Sequence, residues 1–247
     1  MDLEQRRAWN ETHKRLTEMI LVPNEHPRAI ELFLEHHALL YASKMVNGCI
    51  HTLEDDVWEG LEERTLREYP VQATDTKNSI AWHLWHIARV EDMTMNILVA
   101  DSEQVLHSDH WLHKMDVRFT HSGNSMSDED IAELSFHIDM DALLDYRIAV
   151  GKQTRLIISS LQPGGFKDKV QDRRIRRLFE EGAILQEASG IAEYWSKKTI
   201  AGLVLMPATR HNFLHLNKCV RIKDKLQKKM KKSNRQAQNP NSRSMGL

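Results

Sequence analysis

From Arg28 onward, apolar residues recur at Ile30, Leu34, Ala38, Tyr41 and Met45, with Leu32, Phe33 and Leu39 beside them. That spacing follows the 3.6-residue period of a helix with a wide buried stripe, not the two-residue alternation of a half-buried strand. Comparable patterns return over Ile80 to Ala100, Met140 to Leu161 and Pro207 to Met230, and no stretch reads as a strand or an internal repeat. The chain has 247 residues, 41% of them hydrophobic, which is enough apolar material for one large core. The expected fold class is therefore all-α, most simply a four-helix bundle with extra short helices in the connections.

Punctuation residues divide this pattern. A short amphipathic helix carrying Trp9, Leu16, Met19 and Ile20 should end before Pro23 and the Asn24-Glu-His-Pro27 turn. The next helix is expected to run from Arg28 to Met45 and to bend at Asn47-Gly48. Asn78 or Ser79 can cap a helix reaching about Ala100. Residues 101–139 form a long polar connector with a turn at His121-Ser-Gly-Asn124, and Ser127 with Asp130 marks a short helix within it. The helix from Met140 to Leu161 stops at Pro163-Gly-Gly165. A charged helix at Gln171 to Glu181 and a more apolar segment from Ile184 to Trp195 follow. Pro207 should either begin a helix or kink one. The domain is expected to span 1–230, with an N-terminal helix over about 1–22, the bundle over about 28–230, and a disordered basic tail at 231–247.

Cys49 and Cys219 are too few and too far apart for a redox or metal motif, and both read as small buried hydrophobes. Charges from Asp2 onward and the lack of a long apolar run predict no signal peptide and no membrane span, hence a soluble cytoplasmic protein. The net charge is −1, yet the stretch from Lys218 to the C-terminus holds ten Lys and Arg against Asp224 alone. Such a basic segment can contact nucleic acid, but it lacks aromatic residues for base stacking. It reads as a solvated tail, with nucleic acid not expected as a partner.

His211 and His215 lie four apart in Pro207-Ala-Thr-Arg-His-Asn-Phe-Leu-His215, so both imidazoles project from one helical face one turn apart. A three-histidine site needs a further ligand from Ser79-Ile-Ala-Trp-His-Leu-Trp-His86, where periodicity does not choose between His83 and His86. Three neutral imidazoles on a divalent ion leave a position open for water or substrate, as in catalytic rather than structural sites. The zinc-protease motif H-E-x-x-H is excluded because Asn212 stands where its glutamate is needed. His107, His110 and His113 with Asp109 read as solvated residues of the connector, and either His36 or His37 could line the interior. Glu91, Asp92 and Arg210 are the candidates for an acid or base near the open position.

Ser79-Ile-Ala-Trp-His-Leu-Trp-His86-Ile-Ala-Arg-Val-Glu-Asp92, together with Met206-Pro-Ala-Thr-Arg-His211-Asn-Phe-Leu-His215-Leu-Asn217, resembles the DinB-like superfamily of metal-dependent four-helix-bundle proteins. The likeness covers roughly residues 28 to 230, with the connector and residues 163–195 as departures. It implies that one histidine on the second helix and an H-x-x-x-H pair on the last bind a divalent metal, commonly nickel or zinc. Carried over by motif, the ligands are His86, His211 and His215, with His83, Glu91 and Arg210 as neighbours that orient them. The implied activity is a hydrolase or a transferase using a low-molecular-weight thiol, with the ion activating water or the thiol on a small-molecule substrate. A non-catalytic, metal-binding stress-response bundle is the other reading, and a homodimer is expected.

Overall fold

Ser79 opens the central helix: its hydroxyl accepts the Trp82 amide at 3.0 Å, satisfying one of the free N–H groups of the first turn. Ser127 does the same for Asp130 at 3.1 Å and Asp139 for Ala142 at 2.8 Å, and Thr52 with Asp55 forms a reciprocal capping box. In this computed structural model, which describes residues 3–46, 48, 50–73 and 75–238, the helices are α1 (Leu3–Met19), α2 (His26–Ala38), α3 (Leu53–Trp58), α4 (Glu63–Arg67), α5 (Ile80–Met93), α6 (Trp111–Lys114), α7 (Asp128–His137), α8 (Met140–Ser160), α9 (Asp172–Glu180), α10 (Ser189–Ser196), α11 (Ile200–Leu205) and α12 (Asn212–Gln238). Among the described residues the only β pairing is an isolated antiparallel bridge between Lys169 and Thr199, so the all-α expectation holds. Cys49, the Asn47 half of the expected bend and residues 239–247 of the tail lie outside the described residues.

Four boundaries differ from the sequence reading. Helix α2 stops at Ala38 rather than Met45. The Ala42 and Ser43 amides are instead taken by the carboxylates of Glu54 at 2.7 Å and Asp55 at 3.1 Å, which turns the chain, and Tyr41 and Met45 reach the core from that turn. The apolar segment 184–195 becomes α-helical only from Ser189, in a helix spanning Ser189–Ser196 after a short 3-10 turn. Pro207 neither starts a helix nor sharply breaks one: it lies in a π-helical turn, Met206–His211, that joins α11 to α12. That wider turn absorbs the missing proline N–H, and the side-chain Nδ2 of Asn212 donates to the Pro207 carbonyl at 3.1 Å. Helix α12 also runs past the expected end near Met230, to Gln238.

Helix α5 is the axis of the molecule. Every residue from Ile80 to Met93 is buried, because α8 and α12 pack along it and α4, α7 and the connector cover what remains. One apolar cluster surrounds its first half with α8 and α12; a second surrounds its end with α1, α2 and the segments from Phe166 to Ala208. The connector is a folded cover, held by Leu106, Trp111, Met115, Val117 and Phe119, all buried. Two wholly buried charge pairs, Arg147 with Glu54 and Arg89 with Asp92, tie the layers together.

Two apolar clusters of this extent give the chain a core to fold on by packing, in contrast to a small metal-nucleated domain. Exhaustive chelation should leave the far-ultraviolet circular dichroism of the folded protein unchanged at 25 °C. Collapse of the helical signal would make an ion structural.

Candidate metal centre

Packing of α5 against α12 brings three imidazoles together. The ring centroids of His86 and His211 are 5.0 Å apart, those of His86 and His215 5.0 Å, and those of His211 and His215 4.4 Å. One ring nitrogen from each lies within 4.8 Å of the others, the only group of three metal-capable side chains found among the described residues. Nitrogen ligands on a tetrahedral zinc with ~2.1 Å bonds sit ~3.4 Å apart, so small side-chain rotations close the set. His211 ends the π-helical turn, a kind of irregularity often found at functional sites.

Hydrogen bonds orient the rings. His86 Nδ1 lies 2.5 Å from the Ser122 carbonyl oxygen. A carbonyl only accepts, so Nδ1 carries the proton and Nε2 keeps its lone pair, the arrangement common to metal-binding histidines. Trp82 stacks on the other side of the ring, at 4.5 Å and 10°. His215 Nδ1 is 2.9 Å from His83 Nδ1, and His83 Nε2 is 3.2 Å from the Thr76 hydroxyl. With His215 donating to His83 and His83 donating to Thr76, the proton placement is consistent and His215 Nε2 is free to ligate. His211 Nδ1 is buried without a hydrogen-bond partner among the described residues, so no protein group fixes the tautomer of this ring. The donor set therefore suits a borderline divalent ion.

Electrostatics agree. Burial first, and then the neighbouring His86, pushes the His83 pKa down to about 3. Burial lowers that of His86 to about 4 against the raising effect of the Ser122 bond. Burial and the other imidazoles hold His211 and His215 far below the ordinary histidine value. All four are neutral at pH 7, the form that binds metal. Between the unfolded value of 6.5 and the folded values, the unfolded chain binds protons that the folded chain refuses. Stability of the metal-free protein is thus full above ~6.5 and lost as pH falls towards 4, by about 3 kcal/mol from His86 alone. Urea titrations of chelated protein from pH 7 to pH 4 should show the midpoint falling; a flat midpoint would count against buried neutral histidines.

Of the remaining candidates, His83 touches the cluster through His215, and the others are placed apart. Glu91, wholly buried, faces His37 Nε2 at 2.9 Å and accepts from the Asn212 amide at 2.5 Å, so it acts on the residue after His211 and not on a ligand. Asp92 takes Arg89, Tyr146, Asn96 and the Val105 and Leu106 amides. It is an anchor for the connector. Arg210 turns towards α1, donating to Asn10 at 2.7 Å and lying over Trp9. His107, His110 and His113 are exposed in the connector. His36 is buried against Trp9 with neither nitrogen bonded, outside the cluster.

Ser122, Thr76 and Trp82 were not legible as site residues. The turn around Gly123 was, but a carbonyl's target leaves no trace in sequence. Gly123 has φ +82°, and a Cβ there would sit 2.6 Å from Trp85 Cζ3 and 3.2 Å from Trp82 Nε1. Gly123→Ala should therefore cost about 1–3 kcal/mol and loosen the neighbouring Ser122 bond to His86. Thermal unfolding and metal titration of the variant check both; an unchanged melting point would show that the turn tolerates a side chain.

A sequence model of the DinB superfamily matches residues 50–217, a span that holds all three clustered histidines. No curated protein matches the chain. Among solved structures, the crystal structure of a conserved protein of locus from Enterococcus faecalis covers 90% of this chain and 98% of its own, at 14% identity and a TM-score of 0.46.

Proposed function

The chain belongs to the DinB superfamily, and from that premise we propose that it is a metal-dependent enzyme, either a hydrolase or a transferase using a low-molecular-weight thiol. His86, His211 and His215 would hold one divalent ion, nickel or zinc. The observation that carries this reading is the convergence of three neutral imidazoles, with one ring nitrogen of each within 4.8 Å of the others. When bound, such an ion supplies a water of pKa near ~7 or holds a thiol as thiolate.

The protein's own groups do the rest. Ser122 O fixes the His86 tautomer, and His83 backed by Thr76 fixes that of His215. Trp82 shields one side of His86 from water. Substrate would approach from the side where His211 and His215 are only partly covered. Helices α2, α5, α8 and α12 form the proposed four-helix bundle: α2 meets α8 and the turn into α12, and α5 meets both α8 and α12. The reading keeps one domain over 1–230, a tail at 231–247, a cytoplasmic location and a homodimer. No helix of the described residues is long and apolar enough to cross a membrane.

Elemental analysis of untagged protein purified without chelator tests the proposal, with about one nickel or zinc per chain expected. Metal-free protein that takes up neither ion on titration would sink it. The engagement of both Glu91 and Asp92 elsewhere favours one other reading, a metal-binding stress-response dimer without turnover. Thiol-transfer and ester-hydrolysis assays on the loaded protein separate the two.

A further inference from the structure

Helix α12 continues past the histidines with cations on the same side. Successive helical turns from His211 bring up His215, Lys218, Ile222 and Lys225, with Arg221 beside them. Lys218, Arg221, Ile222 and Lys225 line a cleft of about 310 Å³ whose far wall is Ala73 and Asp75. Three cations there face one carboxylate. Lys218 Nζ is 3.4 Å and Arg221 Nη2 3.1 Å from the same Asp75 oxygen, while Lys225 donates to the Gln72 carbonyl. The lining thus carries a net charge of +2: Lys218 and Arg221 share one carboxylate, and Lys225 has no acidic partner within it.

No histidine lines the cleft, but a chain of contacts through one short loop links it to the cluster. Asp75 holds Lys218 and Arg221, and the next residue, Thr76, bonds His83, which bonds His215. The charges of Lys218, Asp75 and Arg221 all reach the His83 ring. Along the helix, Lys218 and Arg221 lie three and six residues past His215, or ~4.5 to ~9 Å at ~1.5 Å per residue.

We infer that this cleft is an anion subsite of the histidine site, taking a carboxylate of the small molecule whose reacting end sits at the imidazoles. The inference rests on the metal reading above and names its substrate class: a small acid with ~5–10 Å between the reacting atom and the carboxylate. Lys218 and Arg221 bind the carboxylate, displacing Asp75, whose own charge weakens the subsite until the ligand arrives. Half-exposed pairs of this kind are salt-sensitive.

The test uses full-length protein loaded with Co²⁺ and reads the thiolate-to-cobalt absorption band during titration with 6-mercaptohexanoate or with the neutral 6-mercaptohexanol. The acid should bind about tenfold more tightly at low salt. That advantage should fall to about one in Lys218→Ala/Arg221→Ala and grow in Asp75→Asn. Equal affinity for the two thiols, or an advantage indifferent to all three substitutions, overturns the subsite and leaves the metal reading standing. Failure to hold Co²⁺, or no band with either thiol, overturns both.

Discussion

His86→Ala, His211→Ala and His215→Ala should each remove most divalent-metal binding, whereas His83→Ala should lower affinity by only ~10- to 100-fold. Losing one of three imidazoles leaves two, and two neutral nitrogens hold a divalent ion weakly. His83 differs because both of its nitrogens already have protein partners, His215 and Thr76. Its loss frees the His215 ring to rotate without removing a donor. Metal content and competition titrations on the four single variants, each checked for native helicity, decide the matter. Retention of metal by His86→Ala with loss in His83→Ala would exchange their roles; retention by all four would end the metal reading.

Asp92→Ala should destabilise the protein by about 3–5 kcal/mol, because it leaves the guanidinium of Arg89 buried without a counter-charge. Both side chains are wholly buried, 2.8 Å apart. Asp92 also accepts from Tyr146 at 2.7 Å and from the Val105 and Leu106 amides at 2.8 and 2.9 Å, so several donors lose their acceptor together. A functional consequence follows along the connector. Arg89 donates to the Thr120 carbonyl at 2.7 Å, two residues before the Ser122 carbonyl that orients His86. Metal affinity should fall in the folded fraction of Asp92→Ala as well. Urea denaturation with metal titration measures both, and a loss below about 1 kcal/mol would mean that water readily replaces the carboxylate.

Sequence alone determined what depends on a few neighbouring residues. The helical period marked α1, α8 and the charged α9 to within about three residues, and Ser79 and Ser127 were legible as caps because a hydroxyl three residues before a free amide is a local arrangement. The His211 and His215 pair was likewise legible, since one helical turn puts both on one face. The upstream partner was not legible from periodicity. Helix α5 is buried all round, so its pattern has no solvent side from which the position of His83 relative to His86 could be read.

Tertiary structure decided the rest. Tyr41 and Met45 follow helical spacing yet sit beyond the end of α2, because carboxylates from α3 take the amides there. Pro207 fits within continuous helical structure only because a π turn opens the ladder at His211. Asp92 looked available for acid–base work and is instead enclosed by Arg89, Tyr146 and the connector. The orientation of His86 depends on a backbone oxygen 36 residues away in sequence. Local propensity acts over a turn or two of helix, whereas burial, ion pairing and ligand orientation depend on which distant segments pack together.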